Sequence, residues 1–283
     1  MKSITRTAYG AYLNNCLLQG LPFKVIPNTT LNEKLGINKQ QSLGLPQDHY
    51  PQLKYLCIGN KGHRVELSNT IPKIKPVQHH STDAAPFGMI PFVLRELDND
   101  LPPGSREKYA LRRQETYNGQ DYIAYYLKRF DFSKSKVEMW LSSVENGVKN
   151  VIPFVPNASN LNPEPQAIAN SGINVVDAKY VEVTNEIEII FTPEDCEELR
   201  HVANVMFNDE ELAIISEFGL VSGFDTRMQV SHQGNQITMN EVLAAQMCNV
   251  FSTFRSCYID NLGWRILIKI GSNLPLWLTT QRP

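Results

Sequence analysis

Apolar and polar positions alternate most regularly between residues 181 and 191. Val181, Val183, Ile187, Ile189 and Phe191 take the odd positions, with Asn185 the polar exception, and Glu182, Thr184, Glu186 and Glu188 take the even ones. A period of two predicts a strand with one face buried and one wet. Residues 53–58 and 90–97 read as further strands, the first turning through Gly59-Asn60-Lys61-Gly62 into 64–67 as a hairpin. Two clearer hairpins follow. Residues 115–117 and 120–132 flank Asn118-Gly119, and 137–144 and 148–154 flank Asn146-Gly147. Asn-Gly supplies the positive φ that both centres of a type I′ turn require. The middle of the chain, rich in Tyr and Phe, therefore predicts an antiparallel meander.

Helical spacing marks other segments. In 8–18, Tyr9, Tyr12, Leu13, Cys16 and Leu17 share a face, and Gly20 is a stop. Ser105 caps a short basic helix reaching Arg113. The last third predicts three helices. Thr192-Pro193 opens the first, with Cys196, Leu199, Val202 and Met206 on one stripe. Asp209 caps a second that ends at Gly219, and the capping box Thr238-x-x-Glu241 opens a third with Leu243, Met247, Val250 and Phe254 along it. A strand over 264–270 closes the chain. Residues 153–173 interleave Pro153, Pro156, Pro163 and Pro165 with Asn157, Asn160, Asn162 and Asn170, the texture of a linker or long surface crossing. The fold class expected is α+β: a mainly antiparallel β portion over 1–155 with an N-terminal helix and long loops, a linker over 156–173, and a mixed α/β portion over 174–283. There is no internal repeat and no βαβα series, so a doubly wound nucleotide-binding sheet is not expected.

Composition narrows the function classes. The 283 residues carry 27 Lys+Arg against 29 Asp+Glu, a formal charge of −2, which gives no chain-wide pull toward nucleic acid or anionic lipid. No apolar run approaches the roughly 18 residues of a membrane span, and the start lacks the apolar region of a secretory signal. The five cysteines are widely spaced and form no CxxC, so they read as free buried thiols in a reducing compartment.

Candidate chemistry is sparse. His79-His80-Ser81-x-Asp83 holds the residue types of a hydrolytic triad, but sequence neighbours do not generally form that geometry and there is no G-x-S-x-G elbow. It reads as a polar loop entering a strand. Asp98-Asn99-Asp100 follows an apolar strand, as an Asp-x-Asp metal site of a sugar-nucleotide transferase does, yet an Asp/Asn turn before Pro-Pro-Gly is also ordinary turn chemistry. Glu197 and His201 stand four apart, as a pair on a solvated helix face does. No G-x-G-x-x-G or G-x-x-x-x-G-K-[ST] offers a phosphate cradle. Charge distribution says more. Residues 106–136 hold eight basic and four acidic side chains, a net +4, whereas 182–217 hold eleven acids and one Arg200, a net −10. Solvated faces account for such runs. The sharper reading is a head-to-tail contact in which the basic middle of one copy meets the acidic segment of the next and closes into a ring.

Several runs carry a resemblance. They are Lys54-Tyr55-Leu56-Cys57-Ile58-Gly59-Asn60-Lys61-Gly62-His63, Ser81-Thr82-Asp83-Ala84-Ala85, Ile90-Pro91-Phe92-Val93-Leu94-Arg95 and Tyr122-Ile123-Ala124-Tyr125-Tyr126-Leu127-Lys128-Arg129. Later come Phe191-Thr192-Pro193-Glu194-Asp195-Cys196-Glu197-Glu198-Leu199-Arg200 and Leu212-Ala213-Ile214-Ile215-Ser216-Glu217. Together, over less than half of the chain, this texture resembles a family of tailed-bacteriophage virion proteins. The resemblance implies a structural part of the particle, in the baseplate or the head–tail neck, with no catalytic, metal or cofactor residues to carry over. The expectation is a non-enzymatic assembly protein, located in the virion after synthesis in the host cytoplasm, whose partners are copies of itself and other virion proteins. Its subunit contacts are expected to join Arg112, Arg113, Lys128 and Arg129 to Glu194, Glu197 and Glu210. The alternatives are a metal-dependent sugar-nucleotide transferase using Asp98 and Asp100, and a nucleic-acid module using 106–136.

Overall fold

A computed structural model describes residues 3–23, 30–37, 50–67, 72–132, 135–145, 148–163, 179–232, 235–257 and 263–275. The elements in chain order are β1 (Ser3–Arg6), α1 (Ala8–Gln19), α2 (Thr30–Leu35), β2 (Gln52–Gly59), β3 (His63–Glu66), β4 (Lys73–Pro76), β5 (Met89–Ile90), β6 (Val93–Glu96), α3 (Pro103–Arg106), β7 (Tyr109–Tyr117), β8 (Gln120–Arg129), β9 (Val137–Glu145), β10 (Val148–Pro153), β11 (Lys179–Phe191), α4 (Pro193–Phe207), a 3-10 turn (Glu210–Leu212), β12 (Ile214–His232), β13 (Asn235–Cys257) and β14 (Trp264–Pro275). They form two compact units, one from 1–132 with 191–264 and the other from 133–190 with 265–283. The boundaries read from composition, after 155 and after 173, fall elsewhere.

The larger unit is built on an eight-stranded antiparallel sheet, with strands in the order β1-β13-β12-β2-β8-β6 while β5 pairs with β2 and β7 with β8. Its core joins Tyr55 and Cys57 of β2, Leu94 of β6, Leu111 of β7, Leu127 of β8, Val221 of β12 and Val250 of β13 to Leu31 and Leu35 of α2 and Val202 of α4. The β7–β8 hairpin forms as its sequence dictates: Tyr117 pairs with Gln120, and Asn118 and Gly119 have φ of 51° and 82°. Helix α1 ends on Gly20 at φ 62°, but only Leu13 and Cys16 of its predicted face are buried. Helix α4 opens as expected on Thr192 and Pro193, with a full capping box to Asp195.

The smaller unit is a four-stranded antiparallel sheet in the order β10-β9-β11-β14. β9 and β10 pair as the second hairpin pattern predicts; its turn, Asn146-Gly147, lies outside the described residues, as does 164–173 of the expected linker.

The expected α+β class is overturned. Strands take 55 % and helices 18 % of the described residues, so the protein is mainly β. Asp209 caps only a 3-10 turn, and the chain then enters β12. The segment after Thr238 is β13, 23 residues of strand rather than a third helix. Both strands are buried on two sides through much of their length, as at 213–223 and 244–248. A strand covered on both faces shows a continuous apolar run, in which i, i+4 spacings arise without a helix. Two local expectations also fail. The 53–67 hairpin does not form, because β3 pairs with β4 while β2 pairs with β12, β8 and β5. The helix from Ser105 is one turn with Pro102 at its cap, after which β7 begins.

Candidate functional site

Register places side chains on the two faces of the small sheet. Val137 lies opposite Asn185, Met139 opposite Val183, and Leu141 opposite both Val181 and Ile152. Cross-strand neighbours share a face, so Val137, Met139, Leu141, Ile152, Val181 and Val183 make one apolar surface. It is open along its outer part: Val137 is 69 %, Ile152 57 % and Met139 40 % exposed, and Val148 on the same edge strand is 62 % exposed, whereas Leu141, Val181 and Val183 are half-buried. Every residue of β10 is exposed, and among the described residues its one strand partner is β9. The opposite face carries charges paired within the sheet, Lys149 with Glu182, Arg265 with Glu188 and Lys269 with Glu186.

The residues expected at subunit contacts are engaged within the chain. Arg112 donates through Nε to Asp100 Oδ2 at 3.1 Å, and Arg113 through Nη1 to Glu241 at 2.6 Å and through Nε to the Leu35 carbonyl at 2.9 Å. Arg129 holds both oxygens of Asp225 at 2.9 Å from Nη1 and lies over the Tyr55 ring. Lys128 reaches Asp195 at 2.6 Å and sits over the Phe191 ring. The basic middle and the acidic late segment thus meet inside one chain, at Lys128–Asp195; Arg95, upstream of the basic stretch, pairs with Glu198 of the same acidic segment. Of the acids, Glu210 pairs with Arg200, and Glu194 is exposed at the start of α4, where the Thr192 hydroxyl holds its carboxyl below the usual range. Glu197 and His201 lie on the exposed side of the same helix.

Asp100 is not an open ligand. Its oxygens take the Tyr125 hydroxyl, the Leu101 N–H, Arg112 and Arg106. Burial alone would raise its pKa, but the Tyr125 hydrogen bond and the two guanidiniums outweigh it and leave the carboxyl below its usual range. Among the described residues, no three His, Cys, Asp or Glu side chains are grouped to hold a metal ion. Cys16, Cys57, Cys196 and Cys248 are free and buried, and burial, with the charge of Glu217 adding to it, pushes the Cys57 thiol up to about 12. None of the described helices is long and apolar enough to cross a membrane.

The most unusual site is one that the sequence reading placed in a polar loop and a helix. Glu217 of β12 is fully buried, and His79 is 4 % exposed. His79 Nε2 lies 3.0 Å from Glu217 Oε1, and Nδ1 lies 3.0 Å from Asp83 Oδ2. Glu217 also accepts the N–H groups of Phe87 at 2.6 Å, Lys61 at 3.1 Å and Gly88 at 3.1 Å. A register shift between Ile215 and Glu217 brings Ser216 to the same place, where its hydroxyl accepts the Gly62 N–H and meets His63 Nδ1. Gly62 must lack a side chain, since a Cβ there would stand 2.4 Å from the Ser216 carbonyl oxygen and 2.3 Å from Glu217 Cγ. The Phe87 ring stacks on His79 at 4.0 Å. One signal was available: Glu217 is the only charge in the apolar run 213–221, and a charge there must be paired.

Fold and site define the chain as a mainly antiparallel β protein with a large sheet whose buried charges are paired and a small sheet with a partly open apolar face. A family model matches residues 1–283, and the chain belongs to that family, described as a family of unknown function (DUF7208). Neither a curated protein nor a solved structure matches it.

Proposed function

We propose that this chain is a structural assembly protein of a tailed-phage particle, in the baseplate or the head–tail neck, acting through protein–protein contacts. The observation that carries the reading is the uncovered apolar face of the small sheet. Val137, Met139 and Ile152 point out of a sheet whose other face already pairs its charges. Contiguous apolar surface of this kind marks an interaction site. The resemblance to virion proteins supplies the setting. The reading is non-enzymatic, and its partners are further copies and other virion proteins. The transferase alternative is less favoured because Asp100 is committed to Tyr125, Arg106 and Arg112.

Mass spectrometry of purified particles from cells that make the chain tests this reading. The chain is expected at a fixed stoichiometry to the other particle proteins, in particles that survive high-salt washing. Its absence from washed particles, with the chain present in the cell lysate, would overturn the assignment.

A further inference from the structure

We propose that the larger unit binds a carboxylate, borne on a short aliphatic chain, in a pocket of about 30 Å³ between α3, β7, β12 and β13. Arg106, Arg112, Leu111, Tyr125, Met228 and Met239 line it. Arg106 carries the argument. Its side chain is 6 % exposed, and among the described residues its guanidinium meets one acceptor, Asp100 Oδ2 at 3.5 Å. That is an ion-pair distance, too long for a charge-assisted hydrogen bond. Asp100 has nothing further to give. Its Oδ1 takes the Tyr125 hydroxyl and the Leu101 N–H, and its Oδ2 takes Arg112 at 3.1 Å from Nε and 3.0 Å from Nη2. A guanidinium has five N–H donors, and those that burial takes from water need an acceptor.

Charge selects the sign of the ligand, and size selects the group. Asp100 stands between Arg106 and Arg112, and Glu241, also in the wall, is held by Arg113 at 2.6 Å. Three guanidiniums against two carboxylates leave a single positive charge, which a monoanion neutralises and a dianion exceeds. The volume has room for about two water-sized atoms, as the two oxygens of a carboxylate require. Those oxygens match the planar fork of a guanidinium, which can donate two parallel N–H groups to them. The rest of the wall suits the carbons behind the carboxylate. Leu111 and Met239 are buried, while Met228 is 43 % exposed and marks the mouth. Such a wall offers no donors to the further oxygens of a sulfate or phosphate. Asp100, which the sequence suggests as a cation ligand, thus serves the opposite charge by holding the two arginines at the pocket.

The test is calorimetric titration of the full-length protein in a sulfonate buffer, with sodium propionate and sodium sulfate as probes. Propionate is expected to saturate a single site in the millimolar range and to bind more tightly than sulfate. Arg106→Gln removes the unmatched cation, and Met228→Glu sets a carboxylate at the mouth; each should weaken propionate binding by about tenfold. Met228 is exposed enough for its variant to fold even where Arg106→Gln does not. Light scattering separates the two sources of the group. A particle mass unchanged by propionate identifies a free acid as the occupant, and a mass that falls identifies an acidic side chain of a second copy. No saturable propionate binding by the folded wild type, tighter binding of sulfate, or equal propionate binding by wild type and Met228→Glu would overturn the proposal.

Discussion

The two sheets handle the same problem in opposite ways. In the large one, apolar strands are covered on both sides and nearly every charge near them has a partner: Arg129 with Asp225, Arg113 with Glu241, Lys128 with Asp195, Glu217 with His79. In the small one, pairing is confined to one face, while Val137, Met139 and Ile152 of the other meet water. A sheet that encloses its own core is complete by itself. One that leaves a row of aliphatic side chains outside gains by burying it, at about 25 cal/mol per Å² of apolar surface. The contrast locates fold stability in the first unit and, on the function proposed here, recognition in the second.

Breaking the large sheet should cost most at Glu217. Glu217→Ala leaves His79 and three backbone N–H groups facing a void, and removal of one partner from a buried charged network costs about 3–5 kcal/mol; urea unfolding monitored by tryptophan fluorescence should show a correspondingly lower midpoint. Asp100→Asn is next, at about 1–3 kcal/mol for lost hydrogen bonds to a charged group. Because the folded Asp100 carboxyl titrates below its ordinary range, its contribution is present above that range and fades as the pH falls through the folded value. Wild type and Asp100→Asn should therefore differ in stability at neutral pH and converge in acid. Arg113→Glu places a like charge beside Glu241 and orphans the Leu35 carbonyl, for about 1–2 kcal/mol in a thermal melt. A loss of assembly in an Arg112→Glu, Arg113→Glu variant thus has to be read beside its melting temperature. Thr192→Ala removes the cap of α4 and should lower stability by about 1 kcal/mol.

Legibility from sequence followed how local the cause was. The Asn118-Gly119 turn, the Thr192-Pro193 helix start and the Gly20 stop are each written in a few adjacent residues, and each appears where expected; the 181–191 strand forms too, but its apolar face is buried only from Ile187 to Phe191, with Val181 and Val183 half-exposed. β12 and β13 were not legible, because their identity depends on neighbours brought from β2 and β1, 150 to 250 positions away along the chain. The same non-locality hid the buried centre: His79 and Glu217 are 138 residues apart. The charge runs were legible as runs. Nothing in their order told that Lys128 would find Asp195 in its own chain.

The smallest effect on stability belongs to the small sheet, and on the proposed function it carries the largest effect on assembly. Val148→Lys with Ile152→Lys replaces two exposed side chains and should change the melting free energy by no more than about 0.5 kcal/mol. Incorporation of this double variant into particles, measured against wild-type chain co-expressed in the same cells, tests the central claim most directly. The account predicts a folded protein that is left behind in the soluble fraction. A variant that melts like wild type and enters particles in equal amount would contradict it.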